Sequence, residues 1–449
     1  MEAVATWQEA HPSHWHALEW ERAPYYLGLL ATSRTTGNEK WADAVRKIGR
    51  DQGWKLGKRP FVADDHAVGQ AWLALYEQDK LPEQRASVEA GIAAFAARPL
   101  APSLAFVPNS DDEWWWCDSL FMGPQVLAGM TTASGDRAWL AKMDTRYWQT
   151  ANYLFDPKNN LFFRDNRYFN KPEPNGAKLF WSRGNGWVFA GLVHILEQMP
   201  KDHPTRPKYE ALFRNLAKRL IELQQDDGTW HASLLDPKDF PVPESSGTAF
   251  FCYGLLWGVN QGLLERSAAL PPALKAWQCL ETHVHPDGML GFVQPVGMDP
   301  QNVNANMTDV YGSGAFLLAG SELHNLILLD SARRAKFSAK NTTKLNRLNE
   351  VASLPWSTVT KLLPKPAADH ISVRDAQTGQ FVPVQVLARD GHGTPDELLF
   401  LATVLPGQER SYEVVETNTP APARPSRLQA ARTAAQTLAE PLLINTTKH

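Results

Sequence analysis

RGNGWVFAGLVHIL, residues 183–196, opens on an arginine, two glycines and an asparagine, then runs apolar or small almost without interruption. A surface helix would carry one apolar stripe and one charged face; a segment apolar nearly all round belongs inside. Five other stretches share the plan. They are EWERAPYYLGLL (19–30), DDHAVGQAWLALY (64–76), CDSLFMGPQVLAGM (117–130), SSGTAFFCYGLLWGV (245–259) and YGSGAFLLAGSELHNLILL (311–329). Each begins with polar or glycine-containing residues and continues as a buried helical pattern.

The segments between them read differently. In KYEALFRNLAKRLIELQ (208–224), Tyr209, Leu212, Phe213, Leu216, Leu220 and Leu223 recur at helical spacing with Lys, Arg and Glu between them. RASVEAGIAAFAAR (85–98) repeats this with Val88, Ile92 and Phe95. These are outer helices. Pairs recurring at roughly 45 to 65 residues predict a repeat architecture in which neighbours bury each other's apolar faces. Six inner and six outer helices predict an (α/α)6 barrel, a six-hairpin toroid, over residues 1–340; an open solenoid is the competing arrangement. In the barrel the inner-helix starts converge on one end, where positive helix-dipole ends face a common cavity.

From about residue 345 the period changes. HISVRDAQTG and QFVPVQVLARD (370–390), ELLFLATVL (397–405) and RSYEVVE (410–416) alternate apolar and polar residues between Gly, Asp and Pro turns. They predict a small β-sandwich-like accessory domain over 345–416. Residues 417–449, rich in Pro, Ala and Thr, read as a tail.

Composition narrows the function. Of 449 residues 43% are hydrophobic and 21% charged, with a net charge of −3, which fits a globular chain and argues against nucleic acid as partner. No apolar run approaches 18 residues, so no membrane span is expected. MEAVATWQEAHPSHWH lacks a basic segment followed by an apolar one, so the chain is expected to be cytoplasmic, or periplasmic after removal of a signal. Cys117, Cys252 and Cys279 are odd in number without CxxC spacing, which indicates neither a disulfide framework nor a zinc site. Seventeen Trp, 19 Phe and 10 Tyr exceed what a core of this size requires, and flat rings with one polar edge suit sugar faces.

Chemistry-bearing residues gather at the inner-helix starts. Asp64, Asp65 and His66 open the second, Asp118 the third, Trp181, Arg183, Asn185 and Trp187 the fourth, and Glu244, Ser245 and Ser246 the fifth. Between helices lie LFFRDNRYF (161–169), with Arg164 and Asp165, and DGTWHASLLDP (227–237), with Trp230 and His231. An Asp or Ser at a helix start is ordinarily only an N-cap. Their concentration at equivalent points of several repeats argues for a site.

WWWCDSLFMGP (114–124), WSRGNGW (181–187), DGTWHASLLDP and ESSGTAFF (244–251), in this order, resemble glycoside hydrolase family 105, the unsaturated rhamnogalacturonyl hydrolases; ADDHAVGQAWLALY (63–76) fits more loosely. The resemblance covers residues 15–335. It implies an (α/α)6 barrel acting on lyase-generated oligosaccharides, pectic rhamnogalacturonan fragments first, whose terminal uronic acid carries a C4=C5 double bond. It implies Asp118 as general acid/base, an aspartate at 64 or 65 lining the site, and Arg183, Trp181 and Trp187 as substrate-binding residues. His66, Trp116, Arg164, Asp165 and His231 complete the expected site. Phe163-Arg164-Asp165 departs from the family, many of whose members carry a histidine there.

The implied reaction is hydration of a vinyl ether, in which one carboxyl is acid first and base second. That requires a pKa above a free aspartate's, which burial beside Trp114–Trp116 and Phe121 would supply. No metal or other cofactor is expected. The substrate carboxylate calls for a cation, Arg183 first and Arg164 second. Two alternatives remain: an inverting glycosidase pairing Asp118 with Asp64 or Asp65, and a non-catalytic glycan-binding toroid.

Overall fold

The computed structural model describes residues 1–108, 113–388, 393–418 and 442–446. The chain forms two compact units, Met1–Thr131 with Asp136–Leu323, and Thr132–Gly135 with His324–His449.

The first unit is helical. In chain order come α1 (Glu2–Ala10), α2 (Ala23–Thr36), α3 (Lys40–Asp51), α4 (Ala63–His66), α5 (Gly69–Asp79), α6 (Pro82–Ala97), α7 (Ser119–Met122) and α8 (Pro124–Ser134). Then follow α9 (Ala138–Leu154), α10 (Ser182–Gln198), α11 (Arg206–Leu223), α12 (Ser245–Asn260), α13 (Arg266–Thr282) and the start of α14 (Val310–Ser331). A 3-10 turn, Trp20–Arg22, leads into α2. Two short hairpins, β1 (Phe155–Asp156) with β2 (Leu161–Phe162) and β3 (Trp230–His231) with β4 (Pro243–Glu244), lie in the connections.

All six expected inner segments are helical, but two are broken where continuous helices were expected. The second divides into α4 and α5, the third into α7 and α8. The latter break has a local cause. Pro124 cannot donate an amide to α7, and a side chain on Gly123 would meet the Trp114 ring at 2.6 Å. The outer face of the pattern also holds: Tyr209, Leu212, Phe213, Leu216 and Leu220 are buried on α11, and Val88, Ile92 and Phe95 on α6.

Inner helices contact their neighbours in chain order. Tyr26 of α2 stacks on Trp72 of α5 at 5.8 Å, and Gln70 of α5 donates to the Phe121 carbonyl of α7 at 2.9 Å. Phe121 meets Trp187 of α10 at 4.9 Å, and Trp187 meets Phe250 of α12 at 4.5 Å. Asn260, ending α12, donates to Glu322 of α14 at 2.8 Å, and α14 returns to α2. There the backbones nearly touch: a Cβ on Gly28 would lie 2.8 Å from the Gly314 carbonyl oxygen, and one on Gly314 would lie 2.4 Å from the Pro24 carbonyl carbon. The N-terminal helix α1, absent from the sequence reading, bonds to both sides of this seam. Tyr25 donates to the Ala5 carbonyl at 3.3 Å, and Ser313 donates to Gln8 at 2.9 Å.

The second unit continues with β5 (Arg333–Lys340), β6 (Arg347–Pro355), α15 (Trp356–Leu362), β7 (Ile371–Asp375), β8 (Phe381–Val382), β9 (Val384–Leu387), β10 (Glu397–Val404), β11 (Glu409–Glu416) and β12 (Leu443–Asn445). Two antiparallel sheets, ordered β12-β5-β11-β7-β8 and β6-β10-β9, share a core in which Phe337, Phe400 and Tyr412 meet ring to ring. The sheet starts at Arg333, earlier than residue 345. In RRAKFSAK the charges of Arg334, Lys336 and Lys340 alternate with Ala335, Phe337 and Ala339, a strand pattern hidden by its charge. Of the expected tail, Leu443–Asn445 pairs with β5, while 419–441 and 447–449 lie outside the described residues. Among the described residues no helix is long and apolar enough to cross a membrane.

The seam between α2 and α14 yields a stability prediction. Gly314→Ala should gain about 1 kcal/mol in helix propensity but lose about 1–3 kcal/mol or more by overpacking against backbone that has no rotamer to change. The expected outcome is a lower thermal midpoint; an unchanged or higher midpoint would contradict the close approach.

Candidate active site

The 3-10 turn at Trp20–Arg22, α4 and α7 pack together, which brings the first three inner-helix starts to one place. Asp118 stands at the N-cap position of α7 but makes no capping bond, so its carboxyl is not consumed by the helix. It is buried, at 8% exposure. Burial pushes its pKa up, opposed by the Arg164 and Arg183 charges and by the Cys117 thiol, which donates to Oδ2 at 3.4 Å.

The two neighbouring acids on α4 have separate fates. Asp65 is fully engaged by one residue: Arg59 gives it backbone N at 2.7 Å, Nε at 2.9 Å and Nη2 at 2.6 Å. It ties down the 57–65 loop. The Asp64 carboxyl receives no hydrogen bond among the described residues, and burial, followed by the Asp118 charge, pushes it up to about 7. The pair unresolved in the sequence is thereby separated, with Asp64 electrically coupled to Asp118.

Arg164 is the cation nearest Asp118. Its Nε lies 3.7 Å from Asp118 Oδ2 and has no hydrogen-bond partner, while Nη1 donates to Asp165 at 2.8 Å and the guanidinium lies over Trp115. Asp165 is fully buried. Burial alone would raise its pKa, but hydrogen bonds from Arg167 and Arg164 outweigh this and hold it below the usual carboxylate range. An ionised buried carboxylate thus aims Arg164. The Phe163–Asp165 stretch that departs from the family pattern supplies this arrangement.

Arg183, the first choice from sequence, is committed elsewhere. It is wholly buried, donates from Nη1 to the Gln294 carbonyl at 2.6 Å and from Nη2 to the Pro295 carbonyl at 2.8 Å, and is flanked by the rings of Trp181 and Tyr311. Its charge reaches Asp118; both Nη groups hold backbone, while its Nε, like that of Arg164, has no hydrogen-bond partner. Trp181 donates to Gln294 Oε1 at 3.1 Å. Trp187 packs between Trp20, Phe121, Phe250 and Tyr311.

Other expected residues belong to the scaffold. His66 is buried against Phe95 with Nε2 bonded to the Pro60 carbonyl at 2.9 Å, and burial pulls it down to about 4, hence neutral. His231 contacts the Pro237 carbonyl at 3.0 Å and Asp227 at 3.2 Å. Trp116 meets Trp115 at a tilt of 55° and accepts at its carbonyl from Ser119, while Trp115 is the ring beneath Arg164. Glu244 caps α12 through the amides of Ser246 and Gly247.

Three residues escaped the sequence reading. Glu21 is buried and pushed up to about 8, by burial first and then by the charges of Asp64, Glu19 and Asp309. Asp309, accepting from Trp15 Nε1 at 3.1 Å, is also raised by burial. Trp20, half-exposed, stacks on Tyr311 at 5.7 Å. All three sit at the starts of inner segments, the signal that marked the others. Among the described residues no group of three or more His, Cys, Asp or Glu side chains is arranged to hold a metal ion.

These acids give a pH prediction. Asp64 and Glu21 hold protons in the folded protein up to about 7 and about 8 that the unfolded chain releases near 3.8 and 4.5. Their contribution is complete below the unfolded values and is lost as pH rises through the folded ones. Buried His66 and His283, both pulled down to about 4, act in the opposite direction below about 6.5. The thermal midpoint should therefore fall between about pH 6.5 and 8.5, less steeply in Asp64→Asn. Parallel profiles for variant and wild type would contradict a raised Asp64.

The described geometry has relatives. A family model described as Glycosyl Hydrolase Family 88 matches residues 1–327, and one for a domain of unknown function (DUF4861) matches 339–446. A curated protein of Formosa agariphila, "Unsaturated 3S-rhamnoglycuronyl hydrolase", is 36% identical over 71% of this chain and 88% of its own length. A solved family 88 glycosyl hydrolase from Bacteroides vulgatus is 30% identical over 72% of this chain and 96% of its own, with a TM-score of 0.66. A second solved chain, titled a polysaccharide lyase, is 31% identical over 74% and 96%, also with a TM-score of 0.66. With the first model spanning well over half its length, the chain belongs to glycosyl hydrolase family 88.

Proposed function

We propose that the protein removes a terminal 4,5-unsaturated uronic acid from oligosaccharides by hydrating the C4=C5 vinyl ether. Its helical unit closes as an (α/α)6 toroid, a reading supported by the contact between first and last inner helices at Gly28 and Gly314. The helical unit carries catalysis, and the β-rich unit, which takes in β5 from Arg333 and β12 at Leu443–Asn445, is accessory.

The observation that carries this function is Asp118: an uncapped, buried carboxyl whose pKa is raised, with an arginine Nε 3.7 Å away that has no other partner. Protonated Asp118 delivers its proton to C4. Positive charge develops at C5 and the ring oxygen, and the resulting carboxylate takes a proton from the water that adds at C5. The hemiketal at C5 opens and the aglycone leaves with its oxygen. Arg164 holds the substrate carboxylate on C5, which places that carbon beside Asp118. Asp64, pushed up to about 7, supplies the second carboxyl, and half-exposed Trp20, backed by the buried rings of Trp187 and Tyr311, forms the sugar platform. The curated relative's name supports an unsaturated uronate and a rhamnose-containing substrate, a feature that the pectic rhamnogalacturonan type expected first shares.

A second reading rests on the coupled pair Asp64 and Asp118, which could serve as base and acid of an inverting glycosidase. The lyase title of one structural relative adds a third outcome for the test. Absorbance of the conjugated double bond is followed with unsaturated oligosaccharides and with intact polysaccharide. Hydration predicts a fall with the former and no change with the latter; a lyase would produce a rise, and an inverting glycosidase would turn over saturated uronides at a comparable rate. Asp118→Asn should lower the rate by about 10²–10⁴-fold or more. A pure, folded variant retaining more than about a tenth of wild-type activity would remove Asp118 from its assigned role.

A further inference from the structure

Glu21 has no part in the mechanism above, yet it is 4% exposed and its Oε2 is buried without a hydrogen-bond partner among the described residues. A carboxyl in that state is costly to keep unless neutral or used. Its 3-10 turn packs on α4, which carries Asp64, and the adjacent Trp20 stacks on Tyr311 and meets Trp187 edge-on. We propose that Glu21 acts through Asp64 to set how much negative charge an anionic sugar meets in the site. The inference rests on the proposed function in one respect, that the substrate is a uronate.

The groups around Glu21 leave it little cationic help. On its own segment Glu19 is a like charge, and Arg22 donates its Nε to Tyr26 of α2 at 3.2 Å. On α2, Tyr25 is bonded to Glu9 at 3.0 Å. On α4, Asp65 is held by Arg59, His66 is neutral, and Asp64 faces Glu21 as a second acid. At the start of α14, Asp309 is a third acid and Tyr311 is buried. The cations that reach the cluster, Arg59, Arg164 and Arg183, act on Asp64, Asp118 and Asp309. Glu21 therefore stays neutral up to about pH 8, and a uronate can enter. Above that, its ionisation adds a charge of the substrate's own sign and keeps Asp64 from ionising independently, so the two titrate as a coupled pair.

The test is KM for a 4,5-unsaturated oligouronide between about pH 6 and 9.5, in the wild type, Glu21→Gln and Glu21→Met. Wild-type KM should climb at the alkaline end with two ionisations and that of both variants with one, so that near pH 9 the variants lie about fivefold or more below the wild type. Superimposable profiles overturn the proposal. If the wild type turns over no unsaturated uronide, the functional reading fails instead, and thermal midpoints between about pH 7 and 9 then decide. A variant lacking the alkaline fall of the wild type upholds titration of Glu21, and parallel curves overturn it.

Discussion

A carboxyl group that must donate a proton near neutral pH has to be kept from water, and the architecture around Asp118 follows from that requirement. Three tryptophans precede it, all less than 10% exposed, and α7 is cut short at Gly123 so that Trp114 can lie against the chain. At the other end of α7, Asp118 stands at the helix start without capping duty. Burial would make a permanently neutral acid if nothing opposed it. Arg164 and Arg183 oppose it, one at 3.7 Å and one through its buried charge, so both protonation states stay within reach. A group that is acid in one step and base in the next needs that balance.

Each arginine keeps an Nε without a hydrogen-bond partner, and the two differ in what holds their Nη groups. Arg183 is fixed by the Gln294 and Pro295 carbonyls, and Gln294 is itself held through its amide on Glu244. This joins the starts of α10 and α12 in one buried network whose cation cannot swing towards a ligand. Arg164 hangs from a single carboxylate, Asp165, which Arg167 shares. Breaking a buried ion pair by removing one partner costs several kcal/mol, about 3–5, so Asp165 fixes the direction in which Arg164 points. Its Nε remains unpaired beside Asp118.

Sequence periodicity reached the helices because burial leaves a strong signature: inner segments apolar all round, outer ones striped. It did not reach α1, whose short EAVATWQEA carries little period, nor β5, whose four charges mask its alternation. The motif resemblance led to an unsaturated uronyl hydrolase, and the family match and the curated relative agree with a glycosyl hydrolase of that kind. Within the candidate site, Asp118, Asp64 and Arg164, all named from sequence, lie close enough for their charges to act on one another. Sequence could not separate Asp64 from Asp65, because the difference lies in Arg59 folding back six residues onto Asp65. Arg183 ranked above Arg164 because motif membership does not reveal that both its Nη groups are held by the backbone of residues far along the chain. Glu21 was passed over although it opens the first inner segment, since nothing in EWER distinguishes a buried glutamate from the exposed Glu19 beside it.

The central claim is that Asp118 directs addition of water to C5, the carbon that protonation at C4 makes electrophilic. Turnover of an unsaturated oligosaccharide in ¹⁸O-enriched water, with the label located by mass spectrometry before the product exchanges, tests it most directly. The account predicts solvent oxygen at C5 of the released uronate and unlabelled oxygen on the aglycone. Label at the anomeric carbon instead would contradict it and make Asp118 one half of a conventional glycosidase pair.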